Sequence, residues 1–246
     1  MNVLSLFAGI GGLELGLERA GMTVVGQVEI DPFCRRVLAA HWPEVPRHDD
    51  VRTAVPWWRS RPRPAVHVVA GGFPCQPVSS AGRRLAQADP RWLWNPMAGI
   101  IADLRPEWVV AENVPGLRTR GLATVLADLA RLGYAARAGY ISACEMGAPH
   151  PRKRLFVLAH PESRGRCPWR PQPGRTGQAD SSGVATQSPR RHRWDAEPDV
   201  GRMAHGVPAG VDRRRALGNA VVPDVAEHIG RLITSGTASA TARRAA

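Results

Sequence analysis

The sequence predicts an α/β fold with a doubly wound, mostly parallel sheet and helices on both of its faces. Strand and helix patterns alternate from Val3 to about residue 159, as such a sheet requires. The chain also begins with a strand, a glycine-rich loop and a helix, a unit that offers backbone N–H groups to a cofactor. Residues 65–70 (AVHVVA) form the continuous apolar run of a strand that is buried on both faces.

The first part of the chain contains two strands and two helices. Residues 3–13 (VLSLFAGIGGL) combine an apolar strand with the glycine loop, and residues 13–20 follow as a helix. A second strand is predicted at Thr23–Val28 and a second helix at Pro32–His41. Between them stands Glu29. Because an acid at the tip of the second strand of such a sheet usually holds a nucleotide ribose, Glu29 is a candidate ligand-binding residue.

The apolar run at residues 65–70 leads into GGFPCQP, residues 71–77. Loops at the carboxyl ends of parallel strands are where open α/β sheets bind their ligands. Pro74 and Pro77 stiffen the backbone on both sides of Cys75, and the two glycines allow a ligand to come close. The arrangement suits a thiol nucleophile held at a fixed angle. For this segment alone, a small buried cysteine in a tight turn is an equally good interpretation.

The strand and helix pattern resumes after the cysteine loop. Residues 83–94 are polar, basic and turn-rich, and they are interpreted either as a mobile flap over a substrate or as an ordinary surface loop. Helices are predicted at residues 95–104 and 119–132. Strands are predicted at residues 107–111, just before the letters ENVP, and at residues 155–159, just after RKR.

Length, charge and cysteine usage limit the function classes. A chain of 246 residues buries one substantial core plus a small appendage. Its net charge of +12 favours a polyanionic partner. The four cysteines show no CxxC spacing and no neighbouring histidine cluster, which argues against a zinc site.

The same features suggest a cytoplasmic protein, because a reactive thiol needs a reducing compartment. Residues 1–17 are apolar but lack a basic start and are interrupted by glycines, so they are interpreted as a core strand and loop instead of a signal peptide. No apolar run reaches the roughly 18 residues of a membrane span, so no membrane partner is expected.

The regular pattern stops near residue 160. Residues 160–210 contain several prolines, which prevent long helices, and they are rich in arginine. The tryptophans Trp169 and Trp194 suggest a segment that folds or inserts into a partner, whereas a disordered linker is the alternative. Residues 211–233 are predicted to form a helix that returns to the main domain, and residues 234–246 a tail that is disordered.

Six short motifs together resemble those of the C5-cytosine DNA methyltransferase family, in the order that the family shows. They are FAGIGG at residues 7–12, Glu29, PCQ at 74–76, ENV at 112–114, RKR at 152–154 and GNAV at 218–221. The resemblance implies a Rossmann-like, S-adenosylmethionine-dependent methyltransferase. Residues 1–159 would be its cofactor-binding and catalytic domain, and residues 160–210 a short target-recognition insert.

The implied reaction is the transfer of a methyl group from S-adenosylmethionine to carbon 5 of a cytosine in DNA. Cys75 would add to C6 and so turn C5 into an enamine-like carbon. Glu112 would share a proton with N3 if its pKa is raised. Arg152 and Arg154 would hold the O2 carbonyl and nearby phosphates, with Arg154 the better candidate for the base. The target nucleotide has to leave the duplex, which costs roughly a few kcal/mol.

The resemblance also implies a cofactor site built from both ends of the chain, with no metal. The glycine loop would line the methionine and sugar side, Glu29 would bind the ribose hydroxyls, and Asp50 would lie near the adenine amine. A helix or turn cap is the alternative for Asp50. The implied cofactor-binding residues are Phe7, Gly9, Gly11, Gly12, Leu13, Glu29, Asp50, Leu93, Asn219 and Val221.

Two features depart from the family pattern. His150 stands where a glutamine commonly precedes the two arginines, and the recognition region is short. A short region is compatible with a relaxed target, with dependence on a partner, or with lost activity. Double-stranded DNA is the expected partner, and both a monomer and a companion restriction endonuclease are compatible with the resemblance. The alternatives are a cytosine-5 RNA methyltransferase, a noncatalytic DNA-binding module and a small-nucleotide enzyme with a Pro-Cys nucleophile.

Overall fold

The computed structural model describes residues 1–74, 92–164 and 210–244, and in these ranges seven strands form one sheet with helices on both faces. The strands are β1 Asn2–Leu6, β2 Thr23–Val28, β3 Arg47–His48, β4 Val68–Gly72, β5 Trp108–Asn113, β6 Tyr134–Ser142 and β7 Lys153–Pro161. The helices are α1 Gly12–Arg19, α2 Pro32–His41, α3 Ala54–Arg59, α4 Trp94–Leu104, α5 Leu117–Arg120, α6 Leu122–Arg131, α7 Gly210–Asn219 and α8 Pro223–Arg244.

The strands follow the order β3-β2-β1-β4-β5-β7-β6. All neighbouring pairs from β3 to β5 are parallel, and β7 is antiparallel to both β5 and β6. The chain moves outward from β1 to β3 and then returns to place β4 on the other side of β1. This reversal creates a crevice at the carboxyl ends of β1 and β4, where open α/β sheets bind ligands. The predicted mostly parallel, doubly wound sheet is confirmed.

The sheet separates two hydrophobic clusters, because successive residues of a strand point to opposite faces. In the parallel pair of β1 and β4, Val3 lies opposite Val68 and Leu4 opposite Val69. Val3 and Val68 belong to the cluster that contacts α1 and α8, whereas Leu4 and Val69 belong to the cluster beneath α4 and α6. Burial on both faces explains why the strand segments are continuous apolar runs.

Helices α1 and α8 pack closely and join the two ends of the chain. A Cβ atom at Gly16 would lie 2.3 Å from the carbonyl oxygen of Pro223 and 2.4 Å from the Cβ of Ala226. Only a residue without a side chain therefore allows this approach. The close packing places the residues just before α8 beside the glycine loop that precedes α1.

One acidic side chain is buried on α1 without a hydrogen bond. Glu14 is fully buried, and neither of its carboxylate oxygens has a hydrogen-bond partner among the described residues. Burial raises the pKa of Glu14 to about 7, with a smaller opposing effect from Ser5. The carboxyl group is therefore protonated in the folded protein at mildly acidic pH, since burial favours the neutral form.

Several predicted elements have the bounds that the sequence indicated. Strand β2 and helix α2 match their predictions, and α2 begins where Asp31 accepts hydrogen bonds from the backbone N–H groups of Phe33 and Cys34. The strand predicted at residues 65–70 instead begins at Val68, because β1 begins at Asn2 and pairing between the two strands starts at Val3 and Val68.

Other predicted boundaries were wrong. The single helix expected at residues 119–132 is two helices, because Gly121, with an extended φ of −170°, separates α5 from α6. The helix expected at residues 211–233 is also two helices, since Pro223 has no backbone N–H and begins a new one. Residues 234–244, expected to be a tail, continue α8, because this alanine- and arginine-containing segment lacks proline.

Three elements escaped sequence analysis. Strand β3 has only two residues, α3 has six, and β6 (YAARAGYIS) contains small and polar residues that are typical of an edge strand. No helix in the described part of the chain is both long enough and apolar enough to cross a bilayer.

Candidate active site

A cavity of about 630 Å³ opens at the carboxyl ends of the parallel strands. The loops after β1, β2, β4 and β5 form most of its wall, and α7 with the residues that follow it completes the wall. The predicted residues that line it are Phe7, Gly9, Leu13, Glu29, Asp50, Leu93, Glu112, Arg154, Asn219 and Val221. The predicted fragments of the site, although distant in sequence, therefore lie around one cavity.

The glycine loop follows β1 and has an unusual backbone. Phe7 has a φ of +54°, Gly9 of +56° and Gly11 of +90°. Gly11 lies against the ring of Trp42, and a Cβ atom at Gly12 would lie 2.1 Å from the carbonyl oxygen of Val221. Unlike Phe7, Gly9 and Leu13, the predicted cofactor-binding residues Gly11 and Gly12 are not part of the cavity wall. They allow the loop to pack against α2 and against the C-terminal segment.

Glu29 presents a fixed carboxylate at the end of β2. The N–H of Gly9 donates to its Oε2 at 2.7 Å, and the N–H of Asp31 donates to its Oε1 at 2.7 Å. The side chain is buried, yet it reaches the cavity wall. Since each carboxylate oxygen has two acceptor positions, both oxygens keep one for a ligand. The group is suited to accept hydrogen bonds from a pair of hydroxyls.

Asp50 is engaged by its own turn. Its Oδ1 accepts a hydrogen bond from the backbone N–H of Arg52 at 2.9 Å, and the Arg52 Nη2 donates to its Oδ2 at 2.8 Å. These bonds hold the pKa of Asp50 below its usual value, the side-chain bond most of all. The turn-cap interpretation is therefore confirmed. Asp50 also lines the cavity, so a role toward adenine stays a prediction.

Glu112 and Arg154 form a buried pair on neighbouring strands. Glu112 is the second-last residue of β5 and Arg154 the second residue of β7, and the Nε of Arg154 lies 3.0 Å from the Oε1 of Glu112. Burial raises the pKa of Glu112 to about 7, although Arg154 and Arg152 oppose the rise. A carboxyl group with this pKa can donate or share a proton near neutral pH, as a general acid does.

Asn113 connects β5 with the segment that leads to Cys75, a role that sequence analysis did not assign. Its Nδ2 donates to the carbonyl oxygen of Phe73 at 2.8 Å, and its Oδ1 accepts from the N–H of Val114 at 2.9 Å. The Phe73 ring contacts Trp92 and Trp94, with centroids 5.7 and 5.4 Å apart. The placement of Asn113 inside ENV, in a chain with few asparagines, was the available signal.

The predicted nucleophile, Cys75, lies outside the described residues. So do Cys167, residues 75–91 with most of the predicted flap, and residues 165–209 of the predicted recognition insert. Pro74, the residue before Cys75, lines the cavity together with Gly72 and Phe73.

The two cysteines that the structure describes are poor nucleophiles or lie elsewhere. Cys34 lines the cavity, but burial, together with the charges of Glu29 and Asp31, raises the pKa of its thiol to about 11. Its thiolate fraction near neutral pH is therefore very small, and the thiolate is the reactive form. Cys144 is exposed and is not part of the cavity wall.

Arg152 does not accompany Arg154 into the cavity. Its Nη2 donates to the carbonyl oxygens of Gly218 at 2.8 Å and of Ala220 at 2.5 Å. Burial and the neighbouring Arg154 lower the pKa of Arg152. Arg152 lines a separate open groove of about 530 Å³, together with His150 and Leu217. Its observed contacts hold the end of α7 and the residue that follows it, and they differ from the predicted contact with the base or phosphate.

Helix α7 contributes one more residue that sequence analysis missed. Arg215 lines the cavity and forms an ion pair with Asp31.

Among the described residues, no group of three or more His, Cys, Asp or Glu side chains is placed to hold a metal ion.

Comparison with known proteins identifies relatives of this chain. Residues 1–182 match the family model described as C-5 cytosine-specific DNA methylase. The type II methyltransferase M2.BsuMI of Bacillus subtilis (strain 168) is 33% identical over 174 residues, which cover 65% of this chain and 42% of that protein. The type II methyltransferase M.DsaV of Dactylococcopsis salina is 32% identical over 171 residues, 68% of this chain and 47% of that protein. The chain thus spans about half the length of these curated relatives.

Solved structures agree with the observed fold. A DNA modification methyltransferase encoded within an E. coli prophage superimposes with a TM-score of 0.56 and 28% identity, over 66% of this chain and 47% of that one. The DNMT2 of Spodoptera frugiperda gives a TM-score of 0.56 over 70% of this chain and 53% of that one, and at 21% identity it supports the fold alone.

Proposed function

The chain belongs to the C-5 cytosine-specific DNA methylase family, and from this membership we propose that it methylates carbon 5 of a cytosine in double-stranded DNA with S-adenosylmethionine as donor. One observation carries the proposal. Glu112, an acid with a pKa of about 7, is buried beside Arg154 on the cavity wall that also contains Pro74. A cytosine ring that receives a nucleophile at C6 needs such a proton source at N3.

The residues around the cavity fit the proposed cofactor. Glu29 has acceptor positions for two ribose hydroxyls, and Ile30, which is 65% exposed, offers an apolar surface to a purine ring. The glycine loop and Val221 bound the cavity on the side of α1. When bound, S-adenosylmethionine supplies the electrophilic methyl group. We assign Phe7, Gly9, Leu13, Glu29, Leu93, Asn219 and Val221 to this site.

The proposed nucleophile is Cys75, two residues beyond Phe73. Asn113 holds the Phe73 carbonyl at 2.8 Å, so the chain leaves the described region close to Glu112, the neighbour of Asn113. The Cys75 thiolate adds to C6 and the electron pair moves toward N3, where Glu112 supplies the proton. C5 thereby becomes an enamine-like carbon that would accept the methyl group supplied by bound S-adenosylmethionine. Loss of the C5 proton to a base, expulsion of the thiolate and return of the N3 proton to Glu112 then release the neutral methylated base.

Arg154 has two tasks in this mechanism. Its guanidinium stabilises the Glu112 carboxylate that remains after the acid has given its proton to N3, and it presents further N–H donors beside that carboxylate. Those donors suit the O2 carbonyl of a cytosine. We assign Arg152 a positioning task instead, since its observed bonds go to the last turn of α7 at Gly218 and to Ala220, which follows that helix.

Bisulfite sequencing of host DNA after expression of this chain tests the proposed function. The wild-type chain is expected to produce cytosines that resist conversion in a reproducible sequence context, and the Cys75→Ala variant none. Cys144→Ala is the matched control, because that cysteine is exposed and outside the cavity. Methyl transfer to purified transfer RNA but not to duplex DNA would instead favour the RNA methyltransferase alternative.

The proposal extends to the setting of the protein. We propose a cytoplasmic location, since the Cys75 thiol has to stay reduced. The curated relatives are named type II methyltransferases, and a companion restriction endonuclease is compatible with the proposal, as is a monomer.

A further inference from the structure

Arg215 and Asp31 form a contact between two parts of the chain that are 184 residues apart. The Nη2 of Arg215, on α7, contacts the Oδ2 of Asp31, which lies between β2 and α2. The same guanidinium lies 3.6 Å from the Oδ1 of Asp212, one turn earlier on α7. Both Arg215 and Asp31 line the cavity. The contact therefore bridges the cavity wall between α2 and α7.

Asp31 uses all of its polar groups to connect its neighbours. Its Oδ1 accepts from the N–H groups of Phe33 at 2.8 Å and Cys34 at 3.3 Å, at the start of α2. Its backbone N–H donates to the Oε1 of Glu29 at 2.7 Å. Oδ2 is left for Arg215. A displacement of Asp31 would therefore also displace the N–H group that holds the Glu29 carboxylate.

The charges near this part of the cavity explain why a cation is needed there. Glu29, Asp31, Asp49 and Asp50 all line the same cavity. Arg52 pairs with Asp50, and Arg35 lies 4.0 Å from Asp49. Arg215 is the guanidinium that contacts Asp31. Without the Arg215 charge, nothing at Asp31 would offset the repulsion between the Asp31 and Glu29 carboxylates. A shift of either residue would move the Glu29 oxygens that are proposed to accept hydrogen bonds from the ligand.

We propose that Arg215 is a positioning residue for the cofactor, which acts through Asp31 to hold the Glu29 carboxylate and to keep α7 against the cavity. This inference rests on the proposed function, because it takes the ligand to be S-adenosylmethionine. Glu29 directly follows β2, and Glu112 lies on β5, three strands away and therefore about 14 Å across the sheet. Arg215 accordingly acts on cofactor affinity and leaves the chemistry at the cytosine ring unchanged.

Isothermal titration of S-adenosylmethionine into the full chain, without DNA, is the test. Arg215→Met is expected to raise the Kd by roughly five- to tenfold, a modest effect because the arginine side chain is 59% exposed. Arg215→Lys is expected to recover part of the affinity. Arg213→Met is the matched control, since Arg213 is an exposed arginine on the same helix. For Arg215→Met, the KM for S-adenosylmethionine is expected to rise with the Kd, whereas kcat is expected to stay within about twofold of wild type.

Asp31→Asn gives a second, independent readout. It keeps an oxygen to accept from the first N–H groups of α2, and it removes the charge that Arg215 contacts. The double variant is expected to bind no more weakly than either single variant, because both changes break the same contact. If Arg215→Met and Arg213→Met bind equally well, the inference is overturned. A wild-type chain that does not bind S-adenosylmethionine would overturn the proposed function instead.

Discussion

The Nε of Arg154 lies 3.0 Å from the Oε1 of Glu112, across the antiparallel pair of β5 and β7. The sheet fixes this geometry, since Glu112 faces Phe156 in the strand register and Arg154 lies two residues from Phe156. Two opposing effects meet at the carboxyl group. Burial favours its neutral form, and the guanidinium favours its charged form.

The rate of methyl transfer should follow the protonation of Glu112. Because its pKa is about 7, the acid is mostly protonated below that pH and loses its proton above it. We expect the single-turnover rate to decline as the pH rises through about 7 to 9. Glu112→Gln should lower the rate by roughly 10²- to 10⁴-fold and abolish this decline, with DNA affinity retained. A variant with an unchanged pH profile would show that another group titrates.

Cys75 should form a covalent adduct with the base. A cytosine that carries fluorine at C5 cannot lose that atom as a cation, so the adduct stalls after methyl transfer. We expect a denaturation-resistant complex when the chain is incubated with S-adenosylmethionine and a 5-fluorocytosine duplex. Cys75→Ala should abolish the complex, and Cys34→Ala should retain it, because the Cys34 thiol stays protonated. Methylation of normal DNA without any trapped complex would contradict the mechanism.

Asn113 should matter for chemistry more than for cofactor binding. Asn113→Ala leaves the Phe73 carbonyl without its donor and should lower the free energy of unfolding by about 1–3 kcal/mol. Methyl transfer should fall by at least about tenfold, since small misplacements of a nucleophile are costly. Asn113→Asp, which keeps the acceptor for Val114 but not the donor, should show the same kinetic loss. Full activity of Asn113→Asp would show that methyl transfer does not need the hydrogen bond from the Asn113 Nδ2 to the Phe73 carbonyl.

Glu14 should make stability depend on pH. The pKa of Glu14 in the folded protein, about 7, lies above its ordinary value of 4.5. The contribution of Glu14 to the free energy of unfolding is therefore fully present below about pH 4.5 and is lost as the pH rises through 7. The shift corresponds to about 3 kcal/mol at most. In urea unfolding, the free energy of unfolding of Glu14→Gln should therefore increase relative to that of wild type as the pH rises from about 5 to 8.

The control for this prediction is Glu44→Gln, a change of the same type at an exposed carboxylate. Over the same pH range, Glu14→Gln should gain more free energy of unfolding relative to wild type than Glu44→Gln does. If Glu14→Gln behaves like Glu44→Gln, the Glu14 carboxyl group is not protonated in the folded protein.

The sequence predicted the elements whose signals are local. Helix α2 was predictable to the residue, because Asp31 caps it, Pro32 begins it and its apolar positions recur with helical spacing. The location of Glu29 and Glu112 followed in the same way from the ends of apolar strands. The short β3 and the polar edge strand β6 carry no such pattern, and so they were missed.

Contacts between distant segments were beyond local reasoning. Arg152 reaches Gly218 and Ala220 across 66 and 68 residues, and nothing near Arg152 distinguishes a bond to those carbonyls from a bond to phosphate. We predicted one helix over residues 211–233 and so missed the break before Pro223, together with its consequence for the cavity. Only the folded chain shows that a carbonyl of this break lies against Gly12.

The close approach of Gly12 to Val221 also determines when the cavity can exist during synthesis. The glycine loop and β2 leave the ribosome first, and Asn219 and Val221 of the cavity wall follow only after residues 29–218 have been made. A nascent chain that ends before α8 also lacks the helix that packs on Gly16. Under the proposed function, cofactor binding therefore has to wait for α7 and the residues after it, and a translation product that stalls earlier would have the Glu29 carboxylate without the complete cavity wall beside it.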